Sequence, residues 1–241
     1  MSTDGADWDS SASAWIANMG EQGDRGRRFV LDPALRARLS DSRFRRALDV
    51  GCGEGRVCRL MQALGIETVG IDPTEAMIAE ARRRDPAGDY RVGGAERLAF
   101  ADASFDLAVT CLTLIDITDF RTAIAEMARV LSPGGTLLAA NLTPVISAGM
   151  NRGWRRDAEG RAVEFALDRY LDEWWEWVEW ANIRVRNWHR PLSAYVQAYL
   201  AAGLTLVSYK DLTPVDGYGE EEAWLYARAP WFDLMEWRKP A

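Results

Sequence analysis

The sequence predicts an α/β domain built on a doubly wound, mainly parallel sheet. Three observations carry that expectation. Strand-like apolar runs alternate with helix-like runs through residues 46–142. The first strand breaks into three glycines, Gly51, Gly53 and Gly55. An acidic residue, Asp72, closes the second strand about twenty residues on. Units of this kind close with right-handed crossovers, which puts helices on both faces of the sheet.

Each element can be justified in turn. Ahead of the sheet lie Trp8, Trp15 and the helix-like "DPALRARL", where Asp32 is placed to cap and Pro33 to start the helix. "RALDVG" reads as a buried strand and "GRVCRLMQALG" as a helix closed by Gly65. "ETVGID" is the second strand, followed by "TEAMIAEARRR", a helix capped by Thr74. "DYRVGG" is a short third strand and "FDLAVTCLTL" a fourth. "FRTAIAEMARVL" is a helix stopped by the turn "SPGG", and "TLLAANL" a fifth strand. Beyond Gly149 the alternation stops. "RYLDEWWEWVEWANIRVRNWHR" is dense in tryptophan and charge and is expected to form a cap inserted after the fifth strand. Trp174, Trp177 and Trp180 recur every third residue, which predicts an amphipathic helix packing most indoles on the sheet with its carboxylates in water. One or two indoles are left to meet an aromatic or cationic substrate. The pattern then resumes. "PLSAYVQAYLAAG" is a helix, "LTLVSYKDL" a strand, "EEEAWLYARA" a helix and "PWFDLMEWRKP" a seventh, last strand. The expected organisation is one domain: an N-terminal lid over 1–44, a core over 45–142, the cap over 143–190 and a C-terminal part over 191–241.

Composition narrows the partners. A formal net charge of −7 repels phosphate backbones, so the expectation is no nucleic-acid partner. The densest basic run, "RGRRFVLDPALRARLSDSRFRR", is interrupted by Asp32 and Asp41 and reads as a solvated helix face with one or two working arginines. Three cysteines without CxxC spacing argue against a disulfide framework and a zinc site, and suit a reducing compartment. The polar start differs from a signal peptide, and no apolar run reaches the ~18 residues of a membrane span. A cytoplasmic protein without a membrane partner is expected.

A strand ending in glycines and feeding a helix is a ligand cradle, because bare backbone and free N–H groups can approach the ligand. A P-loop would need Gly-Lys-Ser/Thr where Arg56-Val57 stands. A dinucleotide site wants GxGxxG, and Arg56 occupies the third glycine's place. A nucleoside without a pyrophosphate is the third class, and Asp72 is placed to accept from both ribose hydroxyls.

At this point "LDVGCGEGR", "GIDPTEAM", "GGAERLAFADASFDLAV" and "LSPGGTLL" resemble, in order and spacing, the successive motifs of class I S-adenosylmethionine-dependent methyltransferases. The resemblance spans residues 47–142. It implies a Rossmann-like seven-stranded sheet with the last strand antiparallel, and S-adenosyl-L-methionine as cofactor. It implies that Asp49, Gly51 and Gly53 lie beside the methionine part, that Asp72 holds the ribose, and that Pro73 and Met77 flank the adenine. Ala95 and Glu96 sit on the adenine's other side, and Cys111 lines the floor below the sulfonium. One departure stands out: the family often has Gly-Asp-Ala-Glu at the third motif, and here the aspartate position is Gly94.

The ends resemble small-molecule methyltransferases more loosely. "GDRGRRFVLDP" looks like a segment folded over the cofactor, which implies that Arg27 meets the methionine carboxylate, with Arg25 and Arg28 as rivals. Trp15 either covers the site or anchors the N-terminal helix. His189, the one histidine, is the candidate base that removes a proton from the acceptor, against a structural role bonded to backbone at the edge of the cap. The expected reaction is direct displacement onto O, N or C of a small molecule. The rivals are a nicotinamide-dependent oxidoreductase, a non-catalytic cofactor-binding regulator, and methylation of protein or nucleic acid. Oligomeric state has no signal in the sequence.

Overall fold

The computed structural model describes residues 6–40 and 44–241, with side chains from residue 8; Asp41 of the basic run lies outside them. Helix α1 (Ala6–Met19) comes first. A widened π-helical turn (Arg27–Leu31) then runs directly into α2 (Asp32–Ser40). The alternating region supplies β1 (Arg46–Val50), α3 (Arg56–Gln62), β2 (Glu67–Asp72), α4 (Glu75–Arg84), β3 (Asp89–Val92), β4 (Phe105–Cys111), α5 (Phe120–Val130) and β5 (Leu131–Leu142). The "SPGG" stretch, expected as a stop, is taken into the start of β5. After the short α6 (Pro144–Ala148) come two hairpins, β6 (Trp154–Arg156) with β7 (Ala162–Phe165), and β8 (Trp174–Trp180) with β9 (Ile183–His189). The chain ends with α7 (Leu192–Ala201), β10 (Thr205–Asp211), α8 (Glu220–Arg228) and β11 (Phe232–Arg238).

The sheet has seven strands in the order β10-β11-β5-β4-β1-β2-β3. β1 pairs in parallel with β2 and β4, β2 with β3, and β4 with β5, while β11 is antiparallel to β5 and β10. This is the doubly wound architecture with an antiparallel last strand that the sequence leads one to expect. The order reverses between β1 and β4, and in open α/β sheets the crevice at that switch point takes the ligand.

One face of the sheet packs on α5 and α7 through Phe120, Ile124, Met127, Tyr195 and Tyr199, with Trp237 of β11 stacked 4.6 Å from the Tyr199 ring. The other packs through Val30, Leu31, Leu35, Leu39, Met61, Tyr226 and Phe232. Large side chains buried this fully contribute roughly 1.5–3 kcal/mol each relative to exposure.

The tryptophan segment is not the expected helix. Trp180 and Ile183 are paired across a two-residue turn, Ala181–Asn182, with φ of 45° and 63°. Turns with both central residues left-handed match the strand twist and favour hairpins. In β9, Ile183, Val185, Asn187 and His189 are buried at period two. The guanidinium of Arg184 lies 3.9 Å from the Trp177 ring centre and that of Arg186 5.4 Å from Trp175, so these indoles stack on arginines of the neighbouring strand.

Helix α1 leans on this hairpin. The Ser11 hydroxyl donates to the Arg184 carbonyl (3.0 Å) and accepts from the Arg184 N–H (3.1 Å), and Trp15 meets Trp180 edge-on at 6.3 Å. The helix also contacts α4. It therefore bridges the cap and the sheet domain across the carboxyl ends of the strands.

Candidate active site

The glycine turn after β1 is built by backbone conformations that side chains oppose. Gly51, Gly53 and Gly55 have φ of 74°, 53° and 82°. A Cβ on Gly51 would stand 2.1 Å from Thr113 Cγ2. The N–H groups of Gly51 and Cys52 both donate to the Ile71 carbonyl at 2.9 Å, which ties the turn to β2. Asp72, at the end of β2, completes the tie. Its Oδ2 accepts from the Gly53 N–H (3.0 Å) and its Oδ1 from the Thr74 N–H (2.9 Å). The Thr74 hydroxyl also donates to this carboxylate, which leaves one of its four lone-pair sites open. Burial raises the Asp72 carboxyl pKa, and these backbone bonds oppose the rise. Thr74 starts α4 without a side-chain cap bond; the Asp72 carboxylate caps its N–H instead. Asp49, inside β1, is pushed up to about 7 by burial, although the Cys58 thiol donates to its Oδ2 at 3.2 Å.

The opposite wall follows β4. Leu112 turns the chain at φ 57°, a left-handed conformation that strains a non-glycine residue. Thr113 then reaches back, its hydroxyl 3.3 Å from the Gly51 carbonyl. Asp116 follows, accepting from Asn187 Nδ2 of β9 at 2.7 Å and from the indole N–H of Trp8.

The roof comes from the N-terminal segment. Asp32 does not act as the expected N-cap: it lies in the helical run, its N–H donating to the Arg27 carbonyl across the π-turn. Its carboxylate takes the Arg56 guanidinium, with Nε 3.0 Å from Oδ2, and Arg56 Nη2 also donates to the Gln22 carbonyl at 2.7 Å. The extra residue in the π-turn brings Arg27 and Asp32 to one side, and both line the cavity below. Arg27 lies 4.6 Å over the Trp15 ring and donates to Asp24 at 2.6 Å. Arg25 and Arg28, the rival arginines, are exposed.

These walls enclose a cavity of about 340 Å³ at the carboxyl ends of the parallel strands. Arg27, Asp49, Gly51, Gly53, Asp72, Pro73, Met77, Ala95, Glu96 and Cys111 all line it. Trp8, Trp15, Asp32, Arg56, Thr113 and Asp116 line it too. Of these additions, Asp116 carried no sequence signal, because its partners come from distant elements. His189 stands apart. It is fully buried and outside the lining, with Nδ1 2.7 Å from the Ser147 hydroxyl and Nε2 2.9 Å from the Tyr170 carbonyl. A carbonyl only accepts, so Nε2 carries the proton and Nδ1 accepts from Ser147. Burial lowers the pKa of the ring by opposing its charged form. The geometry leaves neither nitrogen for an acceptor proton.

Comparisons with known proteins agree with this architecture. A methyltransferase-domain family model matches residues 48–139. The S-adenosylmethionine-dependent methyltransferase of Mesorhizobium loti is 30% identical, with a TM-score of 0.78 over 91% of this chain and 100% of that one. A ubiquinone biosynthesis O-methyltransferase of Maricaulis maris is 31% identical over 81% of this chain and 72% of the relative. A malonyl-[acyl-carrier protein] O-methyltransferase of Enterobacter lignolyticus is 35% identical over 58% of this chain, which spans only 56% of that relative's length. Among structures under 25% identical, a [4+2]-cyclase, SpnF, shares the fold with a TM-score of 0.57. With this fold, cavity and pattern of likeness, the chain belongs to the class I S-adenosylmethionine-dependent methyltransferases.

Proposed function

We propose that this chain transfers the methyl group of S-adenosylmethionine to a small molecule held under the α1 roof. The observation that supports the reading best is one cavity, at the topological switch point, that gathers every cofactor-side residue named from the motifs. The donor set suits an adenosyl group. The Asp72 carboxylate accepts from the ribose, while Gly51 and Gly53 leave backbone bare beside Asp49 for the methionine end. Pro73 and Met77 offer one wall to the adenine, Ala95 and Glu96 the other. A Cβ on Gly94 would lie 3.2 Å from Glu96 Oε2, so the Glu96 carboxylate already reaches the space of the missing aspartate. Arg27, exchanging Asp24 for the ligand, takes the methionine carboxylate.

S-adenosylmethionine, when bound, supplies a methyl group activated by a positively charged sulfur. The protein's part is alignment and the exclusion of water, under a roof of Trp8 and Trp15. The cavity carboxylates suit a cation and repel the pyrophosphate of a nicotinamide dinucleotide, which disfavours the oxidoreductase reading. The Cys111 thiol, pushed up to about 12 by burial, stays protonated and serves as floor. His189 is read as a structural tie rather than a base. Relatives named O-methyltransferases favour oxygen as the accepting atom. Among the described residues no helix is long and apolar enough to cross a membrane, and the sparse free cysteines support a cytoplasmic setting.

Titration calorimetry with S-adenosylhomocysteine tests the proposal. The wild type binds it, and Asp72→Ala, which removes the ribose acceptor and frees the glycine turn, weakens binding about ten- to a hundredfold, on the order of 1.5–3 kcal/mol. No affinity in the wild type, or equal affinity in the variant, defeats the assignment.

A further inference from the structure

Asp116 is among the polar groups of the cavity that the cofactor reading does not use. Asp116 sits on the loop between β4 and α5, in the same wall as Thr113 and Ile117, with the rings of Trp8 and Trp15 also lining the space. The fold fixes this loop firmly. Arg190, fully buried, donates Nη1 to the Leu114 carbonyl at 2.7 Å and Nη2 to the Ile117 carbonyl at 2.5 Å. The Trp188 N–H donates to the Ile115 carbonyl at 2.7 Å, and Leu112 turns into the loop at positive φ. A buried cation and a strained residue thus hold one carboxylate at the cavity wall, and strain of this kind collects at functional sites.

The surroundings select its partner. Of the cations of the cavity wall, Arg56 is engaged by Asp32, and Arg27 by Asp24 or, on the reading above, by the methionine carboxylate that replaces it. Asp116 itself accepts from Asn187 and Trp8, two neutral donors. An anionic acceptor would meet Asp116 without a cation of its own, whereas an O–H would find an acceptor oxygen and indole faces beside it.

We propose that Asp116 is the catalytic base, and that it selects a neutral aromatic hydroxyl as acceptor over a carboxylate. The inference rests on the methyltransferase reading above. The acceptor O–H bond breaks and its proton passes to a carboxylate oxygen of Asp116. The oxygen's lone pair forms the new O–CH₃ bond, and the electron pair of the broken carbon–sulfur bond stays on the donor's sulfur. The proton leaves Asp116 to water as product departs. The groups facing Asp116 tune this exchange: burial and the Asp72 charge raise its pKa, while Trp8, Asn187 and the Arg190 charge lower it. Burial, by raising the carboxyl pKa, makes the carboxylate a stronger proton acceptor for a phenol.

The test uses the full chain saturated with S-adenosylhomocysteine and a ring-matched probe pair, phenol and benzoate, followed by ligand-detected NMR. The wild type is expected to bind phenol at least about tenfold more tightly than benzoate. Asp116→Asn keeps the shape and removes the ionisable carboxyl, so the preference should narrow to within about threefold, with S-adenosylhomocysteine affinity unchanged. With phenolic acceptors that turn over, kcat should fall by about 10²–10⁴-fold in Asp116→Asn, and the rise of rate with pH should vanish. Benzoate bound as tightly as phenol, neither probe bound, or a preference that survives in Asp116→Asn overturns this proposal alone. Absence of S-adenosylhomocysteine binding overturns the methyltransferase reading and this one with it.

Discussion

Gly51→Ala isolates the claim that the turn after β1 is shaped for bare backbone. Two costs add in this variant. Alanine must adopt φ of 74°, which costs roughly 1–2 kcal/mol. Its Cβ would also stand 2.1 Å from Thr113 Cγ2 and 2.4 Å from Thr113 Oγ1. Threonine is short and β-branched and cannot fold its end away, so the wall must shift, at about 1–3 kcal/mol. A total near 3 kcal/mol lowers the Tm of a chain this size by roughly 6–12 °C. Gly53→Ala is the control. At φ 53° it bears the backbone cost, but a Cβ there has nothing within 4 Å. Its loss should be about half as large. Thermal and urea unfolding of both variants give the comparison. Equal losses in the two, or a Gly51→Ala variant within about 1 °C of wild type, would refute the steric account.

Two further outcomes follow from buried groups outside the cavity. Asp233 in β11 is pushed up to about 8 by burial, with the Asp211 charge adding to the rise. Its folded pKa is raised above the unfolded value, so the stability it contributes is full below about 4 and is lost as pH rises through 8. Asp233→Asn should therefore gain on the wild type in urea midpoint between pH 5 and pH 9, and a gap that does not change with pH speaks against the burial argument. His189→Ala should lower unfolding free energy by about 1–3 kcal/mol, because Ser147 and the Tyr170 carbonyl lose their buried partner. S-adenosylhomocysteine affinity should stay unchanged, and a variant as stable as the wild type contradicts the structural role.

The parts of the fold legible in the sequence are those set by neighbours in the chain. Three glycines in five residues and an aspartate at the next strand's end form a local turn, and its hydrogen bonds join Gly53 to Asp72 and Cys52 to Ile71. A helix over the tryptophan segment fails because tryptophan spacing is its only support. In "WWEWVEWANIRVRNWH" the better signal lies after the turn, where Ile183, Val185, Asn187 and His189 alternate inward at period two beside the turn-favouring Asn182. Asp116 was invisible for another reason. A carboxylate in a loop looks solvated until Asn187, 71 residues away, is found donating to it. Asp32 shows the same limit, since its choice between capping a helix and holding Arg56 is settled by a residue 24 positions on.

The long reach of α1 has a consequence for biosynthesis. Ser11 bonds to Arg184, 173 positions later, so α1 leaves the ribosome long before the strand it leans on. Until β9 has emerged, Trp8 and Trp15 have no finished chamber to cover, and contacts of such separation form late in folding. A nascent chain stopped short of that strand would carry two uncovered indoles and a ligand cleft open to water.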